Sequence, residues 1–177
     1  MHWNPNLGRS NILIDQNVTF ASGYSNVIRI DYTVTNYESF TVASDFGNEA
    51  PVMSINGGMA PYRVTYDGPS PWTYDTVDVI SCSGQPCIPN STEPWAAVVA
   101  DDPNTNPTTP GVAMYVPDFP TGLHFNFAGD ATGGSNGVDS WRDWSISASG
   151  GTYSWTVYIV LGGLDSIRSA IYSLAGH

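Results

Sequence analysis

The sequence predicts an all-β fold, an antiparallel β-sandwich of the jelly-roll, concanavalin-like or supersandwich-like kind, with one short C-terminal helix. Apolar and polar residues alternate with period two in several segments. Gly, Pro and Asn turns separate nearly all of those segments, and only one segment has helical spacing. Because 177 residues are enough to bury one core, we expect a single domain over residues 1–177, either alone or as a module of a longer protein.

The strand signal is clearest in residues 26–36, where Ile, Tyr and Val alternate with Arg, Asp and Thr. The same alternation recurs in residues 62–66 and 123–127. It gives each strand one apolar face for the core and one polar face for solvent. Shorter strands are predicted at residues 12–14, 18–20, 40–43, 52–55, 77–80, 95–100, 112–116, 144–148 and 154–161.

One short helix is predicted near the C-terminus, because Leu164, Ile167, Ile171 and Leu174 recur at helical spacing. Asp165 falls in its first turn, where a carboxylate interacts favourably with the helix dipole. We expect this helix to cover one end or one edge of the sandwich.

Two segments are predicted to be long surface loops, residues 101–111 and residues 129–140. Both are rich in the Gly, Asn and Asp residues that favour turns, and the first also contains three prolines. Loops of this length in a compact domain are usually functional or disordered, so both are places to look for a site.

The chain is strongly acidic, with 16 Asp and Glu against five Arg and no Lys, for a net charge of −11. Such a chain lacks the basic patch that binds nucleic-acid phosphates, so we expect no nucleic-acid partner. The same charge argues against binding to an anionic membrane surface, and no apolar run approaches the roughly 20 residues of a membrane-spanning helix.

The two cysteines, Cys82 and Cys87, are separated by a short turn that contains Gly84 and Pro86. A local disulfide that closes this turn is the preferred interpretation, and two unpaired thiols are the alternative. The disulfide predicts a secreted, extracellular protein.

The catalytic signal is weak. Glycoside hydrolysis needs two carboxylates on either side of the scissile bond, about 5–10 Å apart. Glu49, with Asp45 close by in sequence, is the best-placed pair, at the start of a predicted strand. The alternative is that Glu49 is a solvated loop carboxylate or a structural hydrogen-bond acceptor.

Two aromatic clusters predict a carbohydrate-binding site. Each combines rings on which a sugar can stack with polar groups that bind its hydroxyls. The alternative is that the tryptophans close the ends of the core. The clusters consist of Trp72, Tyr74 and Asp75, and of Trp141, Arg142 and Trp144.

A polar face with Arg29, Asp31, His124 and Asn126 is a second candidate sugar site, provided that the two strands are neighbours. Its alternative is an ordinary solvated face with a surface ion pair. No cofactor is expected.

A structural calcium ion is an alternative to the expected absence of any cofactor. Two Asp-rich loops could supply the oxygen ligands that Ca²⁺ prefers. The candidate ligands are Asp101 and Asp102 in the first loop, and Asp130 and Asp139 in the second.

Three stretches, residues 48–73, 93–99 and 153–168, resemble a β-sandwich segment of larger secreted carbohydrate-active proteins that degrade polysaccharides. The last of them contains a strand that runs into a helix with Asp165, Ile167 and Arg168. The resemblance implies a sugar-rich extracellular setting and no defined activity.

We therefore expect a non-catalytic carbohydrate-binding or accessory module that acts on extracellular polysaccharide, with a polysaccharide or oligosaccharide as its partner. One alternative is a glycoside hydrolase or polysaccharide lyase that uses Glu49 and an Asp. A third class is a self-assembling extracellular subunit of a filament, surface layer or capsid.

Overall fold

The computed structural model describes residues 11–43, 49–55, 62–81, 87, 89–117, 123–129, 136–142 and 145–177. Within these residues the chain forms twelve strands and one helix. The strands are β1 Ile12–Phe20, β2 Val27–Asn36, β3 Val42–Ala43, β4 Glu49–Ile55, β5 Tyr62–Thr65, β6 Asp78–Val79, β7 Trp95–Val99, β8 Pro110–Tyr115, β9 Leu123–Gly129, β10 Asn136–Arg142, β11 Ser145–Ile146 and β12 Gly151–Gly163, and the helix α1 is Leu164–Ala175.

The strands form three antiparallel sheets. The largest has seven strands in the order β1-β2-β12-β8-β7-β5-β6. A three-stranded sheet has the order β4-β10-β9, and β11 pairs with β3. The predicted fold class, mostly antiparallel β with a single short C-terminal helix, is confirmed.

Strand β7 explains why the core has two halves. Its five residues, Trp95–Val99, are all fully buried, so both of its faces are covered. Trp95, Ala97 and Val99 pack with the helix residues Ile167 and Ile171.

The other face of the seven-stranded sheet packs against the smaller sheets. Ala96 and Val98 of β7 share a core with Phe125 and Phe127 of β9 and with Val138 of β10. In the described part of the chain, the smaller sheets therefore pack on one face of the large sheet and the helix packs on the other.

The expectation that the helix covers an end or an edge is wrong. Leu164, Ile167 and Ile171 pack on a face of the seven-stranded sheet, together with Val27 of β2 and Val160 of β12. Because the central strands are apolar on both faces, the outer face also needs a cover, which α1 provides.

The predicted loop at residues 129–140 is also wrong in part, because β10 begins at Asn136. This strand is the centre of its sheet and pairs with both β4 and β9. Its glycine, Gly137, and its polar residues hide the alternation, and Val138 is its residue in the core.

The helix in the described ranges is neither long nor apolar enough to cross a membrane.

Candidate functional site

A pocket of about 330 Å³ lies where three segments meet, on the helix side of the seven-stranded sheet. The segments are the loop that follows β5, the loop between β7 and β8, and the first turns of α1. Apolar groups such as Val77 and Leu164 form part of its lining. Its polar and aromatic lining residues are Tyr74, Asp75, Thr76, Asn104, Asp165 and Arg168.

The aromatic wall of the pocket has an unusual backbone. Trp72 and Tyr74 have φ angles of 67° and 58°, in the left-handed region that bulky residues rarely adopt. Such conformations cost about 1–3 kcal/mol each and persist only where the surroundings impose them. Contacts with surrounding residues therefore hold this loop, and with it the pocket wall, in place.

The Tyr74 ring is held against the helix while 54% of the residue remains exposed. Its centroid lies 4.3 Å from the centroid of the Tyr172 ring, with 54° between the planes. The Arg168 Cζ atom lies 5.4 Å from the Tyr74 centroid and 5.6 Å from the Tyr172 centroid. The contacts with Tyr172 and Arg168 hold the Tyr74 ring against the helix, and Tyr74 also lines the pocket.

Beneath the pocket, Glu93 organises a buried hydrogen-bond network. It is fully buried, and its Oε1 accepts bonds from the Trp72 amide at 2.7 Å and the Tyr172 hydroxyl at 2.8 Å. Its Oε2 accepts the indole N–H of Trp95. The Arg168 guanidinium donates to the Tyr172 hydroxyl at 3.0 Å, so the network reaches the pocket wall.

Tyr172 stays protonated throughout the physiological range. Burial, and the hydrogen bond that its hydroxyl donates to Glu93, raise the pKa of Tyr172 to about 12. Its neutral hydroxyl is therefore a permanent bridge between the Glu93 carboxyl group and the Arg168 guanidinium.

Trp72, predicted to bind sugar, supports the pocket from behind. Its ring meets Tyr172 edge-on at 5.1 Å and stacks on His177 at 4.7 Å, with 13° between the planes. It is partly buried and is not among the lining residues. Trp72 therefore packs against the core, as in the alternative interpretation, whereas Tyr74 and Asp75 line the pocket.

Asp75 is oriented by its own loop. Its Oδ2 accepts a hydrogen bond from the Thr73 hydroxyl at 2.7 Å and another from the Tyr66 hydroxyl at 3.4 Å. Among the described residues, its Oδ1 has no hydrogen-bond donor, so one oxygen of this exposed carboxyl remains available to a ligand.

The loop between β7 and β8 forms the opposite wall and is anchored to the helix. The Leu164 and Asp165 amides donate to the carbonyls of Thr109 and Pro107, at 2.9 and 3.2 Å. A Cβ atom at Gly163 would lie 2.8 Å from the Thr108 carbonyl oxygen, so this close approach requires glycine.

Asp101 and Asp102, two of the residues predicted to bind calcium, accept hydrogen bonds within this same loop. Asp102 Oδ1 accepts the backbone and side-chain N–H groups of Asn104, at 2.9 and 3.1 Å, and Asp101 Oδ2 accepts from Asn106 at 2.9 Å. Across the described ranges there is no group of three or more candidate metal ligands. Asp130 lies outside those ranges, as does the side chain of Asp139 on β10, and the calcium site stays a prediction.

The proposed polar face does not assemble. Arg29 and Asp31 lie on β2 of the seven-stranded sheet, whereas His124 and Asn126 lie on β9 of the three-stranded sheet. The condition that the two strands are neighbours is therefore not met. Asn126 is 3% exposed, and its Oδ1 accepts the backbone N–H of Cys87 at 2.9 Å.

Arg29 and Asp31 form a surface ion pair, with 2.9 Å between Nη2 and Oδ1. The hydrogen bond from Arg29 lowers the pKa of Asp31, and Thr156 donates a further bond at 2.7 Å. Both groups are well solvated, so a pair of this kind stabilises the fold little. The ion pair matches the alternative interpretation of an ordinary solvated face.

The candidate catalytic residue Glu49 begins β4, and the register places it in a row with two other predicted site residues. Glu49 lies opposite Trp141 of β10, and Trp141 lies opposite His124 of β9. Arg142 is the next residue of β10. Asp45 and Trp144 lie outside the described residues.

A further pair of carboxyl groups, Asp67 and Asp78, lies near the ends of β5 and β6. Their mutual hydrogen bond raises the pKa of Asp67. The Asp67 amide also donates to Asp78 Oδ2 at 3.0 Å, so Asp78 is a hydrogen-bond acceptor within the fold.

Cys87 is buried and is not a free thiol. Cys82 lies outside the described residues, so the pairing of the two cysteines stays a prediction.

Sequence reasoning missed Asn104, Asp165 and Arg168 as pocket residues. Arg168 carried a signal, since it lies four positions after Leu164, in the apolar stripe of the helix. This arginine in an apolar stripe is 6% exposed and lies within 5.6 Å of the centroids of two tyrosine rings, Tyr74 and Tyr172.

No protein-family model and no curated protein matches the sequence. Among solved structures, the chain is similar to a protein from Klebsiella pneumoniae subsp. pneumoniae MGH 78578 described as a "putative aldose 1-epimerase". The TM-score is 0.48 and the identity is 11%, over 98% of this chain and 52% of that one, so the chain spans about half the length of that protein. A likeness at that TM-score supports no argument about fold or function.

Proposed function

We propose that this chain is a non-catalytic carbohydrate-binding module and that the pocket beside Tyr74 is its sugar site. One observation carries the proposal. An exposed tyrosine ring, two carboxyl groups and an amide meet in one small pocket: Tyr74, Asp75, Asp165 and Asn104. The ring stacks on a sugar face, and the polar groups accept and donate hydrogen bonds to its hydroxyls.

The size of the pocket suits a short sugar segment. Its volume of about 330 Å³ is near the lower end of the roughly 300–1,000 Å³ that ligand pockets occupy. A chain end or a short stretch of a polysaccharide therefore fits better than a long run of units.

The support beneath the site favours binding without a large rearrangement. Tyr74 is held from one side by Tyr172 and Arg168, and Tyr172 is anchored by the buried Glu93. A ring that is already immobilised loses little conformational freedom when a ligand stacks on it, which strengthens binding.

Replacing Tyr74 by Ala is expected to weaken glycan binding at least about tenfold, because the stacking surface is removed. The ligand is first found on an array of neutral and acidic oligosaccharides and insoluble polysaccharides, and affinity is then measured by calorimetry. Tyr37, which is 58% exposed and lies outside the pocket, provides the matched control as Tyr37→Ala.

Two results would overturn the proposal. One is a folded wild-type chain that binds nothing on the array. The other is a Tyr74→Ala variant that keeps wild-type affinity while Tyr37→Ala behaves identically.

An enzyme is the second candidate, and the row of Glu49, Trp141 and His124 across β4, β10 and β9 favours it. In this alternative Glu49 acts as acid or base. The second carboxylate is an Asp.

If the chain cleaves a polysaccharide, Glu49→Gln is expected to reduce sugar release by at least about a hundredfold, because general acid–base groups contribute roughly that much. Reducing-end assays on a polysaccharide panel measure it, with Glu38→Gln as the control. Equal activity of Glu49→Gln and wild type would remove Glu49 from the reaction.

We also propose that the module works outside the cell, on extracellular polysaccharide. The predicted disulfide between Cys82 and Cys87 would fit this setting, because disulfides persist mainly in oxidising compartments.

A further inference from the structure

Among the described residues, β1 is the outermost strand at one side of the seven-stranded sheet. It pairs with β2 along its whole length, from Ile12 to Phe20, with no register shift. No other strand in the described part of the chain pairs with it. A long regular edge presents unpaired backbone N–H and C=O groups that are ready to pair with another strand.

This edge is apolar and exposed. Leu13 and Ile14 are each 45% exposed, Val18 is 57% exposed, and Phe20 is 71% exposed. Ile14, Val18 and Phe20 also lie on one face of the strand, since they are an even number of residues apart. Single apolar residues on a surface are ordinary, but three on one face of a free edge are not.

The usual protections of an edge strand are missing here. Lysine, proline and bulges prevent edge-to-edge pairing in other proteins. This chain contains no lysine, residues 12–20 contain no proline, and the register with β2 has no bulge. The single charged residue on the strand is Asp15.

We propose that two copies of this chain join edge to edge through β1, antiparallel, about a two-fold axis at Gln16. The seven-stranded sheets of the two copies then form one continuous sheet of fourteen strands. This surface is separate from the sugar pocket, and the proposal does not depend on the pocket.

The register follows from the strand itself. Gln16 is the midpoint of Ile12–Phe20, so an axis there pairs all nine residues. An axis at Asp15 would place two aspartates directly opposite each other, which is destabilising. An axis at Asn17 would leave Ile12 and Leu13 beyond the end of the partner strand.

The pairs made by the Gln16 axis are complementary. Ile14 faces Val18 of the second copy, Ile12 faces Phe20, and the two Gln16 amides face each other, all on one face of the sheet. On the other face, Asp15 meets Asn17 instead of a second carboxylate. Because apolar meets apolar and the one charge meets an amide, a second copy is the partner that this edge fits.

Cysteine scanning distinguishes this register from any other. In purified Gln16→Cys the two introduced side chains have Cβ atoms about 4.5–5.5 Å apart, close enough for mild oxidation to join them. In Val18→Cys the two introduced cysteines are four residues apart along the strands, about 13 Å, and are expected to remain unlinked.

Light scattering of the purified chain tests the assembly itself. Wild type is expected at twice its 19.0 kDa single-chain mass. Val18→Lys is expected at the single-chain mass, because the lysine would place a charge in the interface between the two strands. Val79→Lys makes the same change on β6, at the opposite edge of the same sheet, and is expected to remain dimeric.

Each contrary result overturns the proposal. These are a monomeric wild type at every concentration, open-ended assemblies in place of a dimer, equal cross-linking of Val18→Cys and Gln16→Cys, and a Val18→Lys variant that stays dimeric. Glycan affinity measured on the same variants is independent, so failure here leaves the sugar site untouched.

Discussion

Replacing Glu93 by Ala is expected to lower the free energy of unfolding by about 3–5 kcal/mol, the range seen when one partner of a buried polar network is removed. Glu93 is fully buried and accepts three hydrogen bonds. Their donors are the Trp72 amide, the Trp95 indole and the Tyr172 hydroxyl. Without the carboxyl group, all three lose their acceptor in a region that excludes water.

The loss is expected to reach the pocket as well. Trp72 and Tyr74 adopt strained φ angles. The Glu93 carboxyl group accepts the Trp72 amide, and it also accepts the hydroxyl of Tyr172, whose ring contacts Tyr74. The variant should therefore lose affinity for the glycan at temperatures where it is still folded.

Urea denaturation followed by fluorescence measures the change in stability. Glu38→Ala is the matched control, because Glu38 is partly exposed and accepts one amide, from Asn11, at 2.6 Å. Its expected cost is below about 1 kcal/mol. A Glu93→Ala variant no less stable than Glu38→Ala would refute the assigned role of the network.

Replacing Asn36 by Asp is expected to cost a similar amount, about 3–5 kcal/mol at neutral pH, because it buries an unpaired charge. Asn36 is fully buried at the end of β2. Its Nδ2 donates to the carbonyls of Phe40, Ile146 and Ser147 at 2.8–3.2 Å, and its Oδ1 accepts the Glu38 amide. A carboxylate would direct an oxygen at three carbonyl oxygens.

This deficit should depend on pH in a defined direction. The acceptors around the new carboxyl group would raise its pKa in the folded state, since they disfavour the charged form. The penalty is therefore full at neutral pH and shrinks as the pH falls, because a protonated Asp can donate to one of the carbonyls. Denaturant titrations at several pH values test this, with the exposed Asn90→Asp as control. A constant or growing deficit at lower pH contradicts the assignment.

The architecture was predictable from local patterns where each strand has one apolar face. Residues 26–36 alternate clearly and form β2, Val27–Asn36, and the helical spacing after Gly163 marks α1, Leu164–Ala175. The two short strands predicted at residues 12–14 and 18–20 form one strand, because pairing with β2 continues through Asp15, Gln16 and Asn17.

The errors arise where pairing partners, which are distant in sequence, determine the structure. Asn136–Arg142 lacks alternation, yet it is a central strand because β4 and β9 lie on both sides of it. The helix packs on the sheet face because β7 is buried on both faces. This was not predictable, because a run of five apolar residues also fits a strand at the core of a simple sandwich.

Only part of the candidate site was predictable, because its residues come from segments that are distant in sequence. Tyr74 and Asp75 are adjacent in sequence to a turn and stood out as a cluster. Asn104, Asp165 and Arg168 come from two other segments, and only the folded chain brings them to that cluster. Glu93 lies between Thr92 and Pro94 with no pattern that predicts a fully buried acceptor.

The position of β12 has a consequence for how the chain folds during synthesis. This strand, Gly151–Gly163, lies between β2 and β8 in the interior of the largest sheet, although it follows the other described strands in sequence. Until it emerges from the ribosome, Val27–Asn36 and Pro110–Tyr115 have no neighbour on one side. Contacts that span more than a hundred residues form slowly and leave strand edges exposed in the meantime. We therefore expect the nascent chain to depend on residues 151–163 for its first native seven-stranded sheet, and to need protection from aggregation until β12 has emerged.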